Sequence, residues 1–157
     1  MTTGRTEDIL SLIEAEHRQV EQLFAKIETA ENTKLYDYFN QIYKVLNLHT
    51  RAEEFVFYPA MQEYEETRKY IQEAQEEHEQ AKALLEELKM LKPTESEFKT
   101  KMSELKKAVQ HHVQEEEREI FSAVRKCMNQ KQLTQLGREF QEAKPKIEED
   151  VEVAMTT

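Results

Sequence analysis

Apolar residues recur at alternating intervals of three and four along four long stretches of the chain, the spacing of amphipathic helices that each bury one face. The first stretch carries Leu10, Ile13, Val20, Phe24 and Ile27. A histidine interrupts the apolar series in each stretch, and a glutamate interrupts it again in two of them. The pattern predicts four helices that turn polar side chains toward a shared core.

The four helices are predicted over about residues 6–30, 34–60, 65–91 and 97–128. Pro59 lies near the end of the second helix and predicts a kink or a stop within one turn, because proline removes a backbone hydrogen bond. The length suits one domain, so we expect a single domain over residues 1–157 with the bundle at about residues 6–128.

The C-terminal segment, residues 130–157, carries a weaker apolar pattern. It predicts a short fifth helix that packs on the bundle and ends before Pro145. We expect the residues beyond Pro145 to be frayed. The apolar residues of the fifth helix are Leu133, Leu136 and Phe140.

The chain contains an internal duplication. A shift of 63 positions superposes the second helix on the fourth, including a His-x-x-x-Glu motif in each, and a shift of 61 superposes the first on the third, including one histidine in each. One duplicated helical hairpin with short connections predicts an all-α, antiparallel up-down-up-down four-helix bundle. The six matched polar residues are His17, His49, Glu53, His78, His112 and Glu116.

These six side chains form a candidate metal site. Four residues advance about 400° on a helix, so the histidine and glutamate of each motif share one face. Buried carboxylates without partners cost several kcal/mol, and a cation between them removes that cost. Imidazole and carboxylate suit iron, manganese or zinc, and six ligands fit two octahedral metals better than one tetrahedral zinc. We expect Glu53 and Glu116 to bridge the metals, with two histidines each; which histidines share a metal stays open.

Two neighbouring patterns compete with this ligand set. His111 also precedes a glutamate by four residues, but it lies about 100° away from His112 on the helix and off the apolar series. Glu14-x-x-His17 matches one motif of ferritin-like carboxylate proteins, which need two such motifs, and Gln75 breaks the second. A metal-free helical interaction domain is the remaining alternative.

Composition excludes several classes of function. Asp and Glu outnumber Lys and Arg by 32 to 22, and the net charge of -10 disfavours nucleic acid and anionic membranes as partners. The chain has no long apolar run and no secretory leader, so we expect a cytoplasmic protein. Its one cysteine, Cys127, has no ligand-type neighbours and is expected to be an ordinary helix residue. No feature identifies a protein partner.

The order H…HxxxE…H…HxxxE over Leu10 to Val124 resembles the hemerythrin family in its HHE cation-binding form. The resemblance implies a non-haem di-iron centre with an oxo or hydroxo bridge, held by the six residues above, that reacts with O2, NO or peroxide. Oxygen carriers of the family have one further histidine on the third helix, where this chain has Ala74 and Lys82. One coordination position is thus left for water, an exogenous ligand or a tyrosine.

This difference makes the chain more similar to bacterial relatives associated with iron, nitric oxide or peroxide than to reversible oxygen carriers. The expected function is binding of a diatomic ligand for storage, sensing or detoxification. The alternative is a di-iron enzyme that consumes peroxide or NO, or that donates iron for repair of iron–sulfur clusters. The sequence does not decide whether the protein is an enzyme, and we favour a protein without catalytic activity.

Overall fold

The computed structural model describes residues 7–31 and 33–155 and contains only helices and connecting turns within them. The predicted all-α fold class is confirmed. The helices are α1 (Ile9–Glu28), α2 (Thr33–Ala52), α3 (Tyr58–Gln62), α4 (Glu65–Arg68), α5 (Ile71–Lys89), α6 (Ser96–Glu115), α7 (Phe121–Cys127) and α8 (Gln130–Met155). Two π-helical turns, Glu53–Phe57 and Glu116–Ile120, join α2 to α3 and α6 to α7 without interruption. The four long rods of the bundle are therefore α1, α2–α3, α5 and α6–α7.

Two apolar clusters form the core, one toward each end of the bundle. One packs the C-terminal part of α1 against the N-terminal part of α2 and includes Phe24 and Phe39. The other packs the N-terminal part of α1 against the two π turns and α8 and includes Ile13 and Phe57. Along α1, His17 lies between the two clusters. The polar residues of the bundle thus occupy a layer enclosed by apolar side chains at both ends.

Helix α8 is longer than the short helix that the sequence predicts. It continues through Pro145 to Met155, and the expectation of fraying beyond Pro145 is wrong. Burial of Val151 beyond the proline offsets the hydrogen bond that the ring removes. A Cβ atom at Gly137 would lie 2.3 Å from the carbonyl oxygen of Glu7, so glycine is required where α8 crosses the start of α1.

Pro59 lies in α3, which ends three residues later at Gln62, so the predicted stop within one turn is confirmed. Among the residues that the structure describes, no helix is long and apolar enough to cross a membrane.

Neighbouring phenylalanines on the first π turn test this packing. Phe57 is fully buried, whereas Phe55 is 70% exposed. We expect Phe57→Ala to lower the free energy of unfolding by about 3–5 kcal/mol, because it leaves a cavity in the core. Phe55→Ala, the matched control, should change it by less than about 0.5 kcal/mol. Urea unfolding of the metal-free protein measures both, and equal effects would contradict the described core.

Candidate metal centre

The structure brings all six sequence-predicted residues together in the layer between the two apolar clusters. Each histidine lies on a different one of the four long rods, and each glutamate lies on a π turn. All six side chains are between 0 and 8% exposed. The four histidines come from the inward faces of α1, α2, α5 and α6. Glu53 and Glu116 are the first residues of the two π turns.

The π turns are the backbone feature that the sequence analysis missed. The N–H of Tyr58 donates to the carbonyl of Glu53, and the N–H of Phe121 donates to that of Glu116, each five residues back. The wider turn changes the helical register directly after the carboxylate, so both Phe57 and Tyr58 are buried. Proline is not the common cause, because the second copy has serine where the first has Pro59.

The histidines form two pairs. The ring centroids of His17 and His49 are 5.0 Å apart, and those of His78 and His112 are 4.9 Å apart. The two oxygens of Glu116 face different pairs: Oε1 lies 2.9 Å from Nε2 of His17, and Oε2 lies 3.8 Å from Nε2 of His112.

Glu53 also spans the two pairs. Its Oε1 lies 3.3 Å from Nε2 of His49 and 3.1 Å from Nε2 of His78. The donor atoms of His17, His49 and the two glutamates approach one another within 4.8 Å, and Glu53 makes a second such group with His78 and His112. The four histidines are thus arranged in space as the pairs His17/His49 and His78/His112.

Most of the inward-facing atoms have no hydrogen-bond partner within the described part of the chain. They are Nε2 of His17, His49 and His112 and both carboxylate oxygens of Glu53 and Glu116. Leaving such atoms buried and unpaired costs several kcal/mol, more for charged groups. Bound cations would remove this cost, and nitrogen and oxygen donors suit iron, manganese or zinc. The buried His/Glu cluster is able to bind metal.

The outer nitrogen of each histidine is also held. In every case Nδ1 lies 2.6 to 2.8 Å from a glutamate oxygen, which fixes the ring and directs Nε2 inward. The pairs are His17–Glu117, His49–Glu16, His78–Glu54 and His112–Glu77.

These outer glutamates follow the duplication, which is the signal that could have identified them. Glu16 and Glu77 each precede a histidine of the site, and Glu54 and Glu117 each follow a glutamate of it. The same shifts of 61 and 63 positions therefore relate the outer glutamates as well as the inner residues.

Burial and mutual attraction displace the pKa values of the inner groups. Burial raises the pKa of Glu53, but the charge of His49 and the hydrogen bonds with His49, His78 and Glu116 together outweigh it and hold that pKa well below 4.5. Burial and the charge of Glu53 raise the pKa of Glu116 from 4.5. Burial lowers the pKa of His78, but its bonds to two glutamates outweigh this and raise it to about 9.

Two further features border the cluster. A cavity of about 30 Å³ is lined by all four histidines, by Thr50 and Glu77, and by apolar side chains of the surrounding helices such as Val20 and Leu46. A molecule of one or two heavy atoms fits this cavity.

The hydroxyl of Tyr58 lies 3.1 Å from Nε2 of His78, with the two rings stacked at 5.4 Å.

The competing residues lie outside the cluster. His111 is 68% exposed, and its Nε2 contacts Glu115 at 3.1 Å and Glu77 at 3.4 Å. Glu14 is exposed on α1, so the ferritin-like motif with His17 does not direct its carboxylate into the layer.

Comparisons with known proteins agree with this architecture. The hemerythrin HHE cation binding domain matches residues 8–124. A protein of Nostoc sp. named DNA nickase is 35% identical over 90% of this chain, and an uncharacterized hemerythrin-like protein of Schizosaccharomyces pombe is 26% identical over 82%. The chain spans only 40% and 65% of the lengths of these two relatives.

A solved structure has the same fold. The hemerythrin HHE cation binding domain-containing protein from Mycobacterium kansasii superposes with a TM-score of 0.84 over 96% of this chain and 93% of that one, at 21% identity. At this identity the similarity supports the fold alone.

Proton release tests the electrostatics of the cluster. His78 in the metal-free protein keeps its proton at neutral pH because its pKa is about 9, whereas a metal binds the neutral ring. We expect metal binding to release a proton at neutral pH, and the affinity to rise with pH from 6.5 to about 9. Calorimetry in buffers of different ionisation enthalpy measures the protons released.

The same shift affects folding. Protonated His78 stabilises the metal-free fold fully below its ordinary pKa of 6.5, and this contribution is lost as the pH rises through about 9.

Metal binding with no net proton release at neutral pH, measured by this calorimetry, would contradict the raised pKa of His78.

Proposed function

Because this chain belongs to the hemerythrin HHE cation-binding family, we propose that it holds two iron ions in the buried cluster and binds O2 or NO there, for storage, sensing or detoxification. His17 and His49 would hold one ion, and His78 and His112 the other. Glu53 and Glu116 would bridge them, in a centre completed by an oxo or hydroxo group.

The observation that carries this proposal is the position of the two carboxylates between the histidine pairs. Each carboxylate faces histidines of both pairs: Glu116 does so through its two oxygens, and Glu53 through Oε1. None of these oxygens has a hydrogen-bond partner in the described residues. A single ion would leave one histidine pair without a ligand role. Zinc or manganese would satisfy the same donors, so the identity of the metal is part of the proposal.

The surroundings favour a small ligand. Ferrous ions would supply the electrons that O2 or NO accepts on binding. The 30 Å³ cavity admits a diatomic molecule and excludes larger substrates. The Tyr58 hydroxyl beside His78 would hydrogen-bond to a ligand or fill the open coordination position itself.

A di-iron enzyme is the second candidate, consuming peroxide or NO or donating iron for cluster repair. The nearby Tyr58 hydroxyl favours it, because turnover of oxygen species needs a proton donor beside the metal. Steady-state consumption of peroxide or NO that is lost in His112→Ala and kept in His111→Ala would select this candidate over simple binding.

The name of the Nostoc relative raises DNA cleavage as a further possibility for this chain. Two observations place it below the others. The net charge of -10 repels phosphate, and all six inner side chains are buried beyond the reach of a nucleic-acid strand. Nicking of supercoiled plasmid by the metal-loaded chain, lost in His112→Ala, would reverse this ranking.

Filling the cavity tests the proposed function. Ala81 is buried against it, and Ala83 lies exposed on the same helix. We expect Ala81→Leu to keep its metal but to weaken O2 or NO binding by roughly tenfold or more, because overpacking costs about 1–3 kcal/mol. Ala83→Leu is the matched control. The measurement is the visible spectrum of the anaerobically reduced protein as the ligand is added.

Two results would count against this account. No reversible spectral change in the wild-type protein would overturn diatomic binding. Unchanged affinity in Ala81→Leu would show that the ligand does not occupy this cavity.

A further inference from the structure

The two histidine pairs differ in the charges behind them. Both outer glutamates of the His17/His49 pair contact a basic side chain: Arg18 contacts Glu117, and Lys144 contacts Glu16. Lys144 comes from α8 and also lies over the ring of Phe140, 4.7 Å from its centroid. Each outer glutamate behind this pair therefore has a basic partner, although Arg18 also pairs with Glu21.

The His78/His112 pair lacks this compensation. Within residues 7–31 and 33–155, no lysine or arginine lies within ion-pairing distance of Glu54 or Glu77. Glu77 contacts His112, His111 and Glu115, and it groups with three exposed or half-buried side chains, two of them carboxylates. Those three are Glu73, His111 and Glu115.

Helix α8 supplies one of these two basic side chains, Lys144, and Arg18 lies on α1. Helix α8 packs mainly against α1, α2 and the first π turn, and within the described residues the second hairpin has no equivalent helix on its outer face. The duplicated positions have diverged accordingly. Where the second hairpin has Glu73, His111 and Glu115, the first has Leu12, Leu48 and Ala52.

We propose that the two metal positions are unequal, and that the position of His78 and His112 binds a divalent cation more tightly. Lys144 and Arg18 act as positioning residues that weaken the other position by neutralising the carboxylates behind His49 and His17. The inference rests on the proposed two-metal site and adds an order of filling to it.

The physical cause is the basicity of the imidazole. A glutamate that accepts a hydrogen bond from Nδ1–H makes Nε2 a better metal ligand. A cation bound to that glutamate weakens this effect. The cation also repels the metal directly across an interior of low dielectric. Both effects act in the same direction at His49, whose glutamate contacts Lys144.

Cobalt(II) is the probe, because it stays divalent and its visible bands report each ion bound. The metal-free protein is titrated without oxygen. We expect two steps in the wild-type protein, with the tight step retained in His49→Ala and lost in His112→Ala. In Lys144→Gln the weak step should tighten by about tenfold, a typical effect of residues behind metal ligands.

Two variants control for charge and structure. Lys146→Gln removes an exposed lysine two residues away that pairs with Asp150, so it changes the net charge without touching Glu16. It should leave both steps unchanged. Lys144→Arg restores the cation and should behave as the wild-type protein, whereas a merely structural role would not require the charge. Circular dichroism verifies the fold of each variant.

The outcomes separate this inference from the proposed function. Two cobalt ions of equal affinity, an unchanged weak step in Lys144→Gln, or a tight step that survives in His112→Ala would overturn the unequal positions alone. Failure of the wild-type protein to bind cobalt would overturn the two-metal site and this inference with it.

Discussion

The burial of two carboxylates and four imidazoles in one layer is the constraint on which the rest of this bundle depends. Such groups are among the most costly to remove from water, and hydrogen bonds from histidine alone leave the oxygens of Glu53 and Glu116 without partners. Apolar clusters above and below the layer stabilise the helices and keep water out. The fold therefore holds its ligands in place before any metal enters, and the metal would offset the cost of their burial.

Duplication gives the layer its approximate symmetry. Each hairpin supplies two histidines, one inner glutamate and two outer glutamates, and each π turn starts at the inner glutamate. Helix α8 breaks this symmetry by packing mainly against the first hairpin. A structural helix that stabilises the core thus also changes the charge near one half of the centre, through Lys144.

The bundle and its six inner residues could be predicted from the sequence, because helical spacing and the internal duplication both place these residues on the inward face of a helix. The π turns could not be predicted, since the apolar series before Glu53 gives no sign of a change in backbone hydrogen bonding after it. The outer glutamates were obscured by an acidic composition, 32 Asp and Glu in all, which places carboxylates on every helix surface. The length of α8 was missed because burial of Val151 overrides the local effect of Pro145.

Anomalous X-ray diffraction at the iron edge, from crystals of protein produced with iron, tests the central claim most directly. The account predicts two peaks per chain, one beside the Nε2 atoms of His17 and His49 and one beside those of His78 and His112, with Glu53 and Glu116 between them. Absence of any peak in this layer, or iron bound only at the surface beside His111 and Glu115, would contradict it.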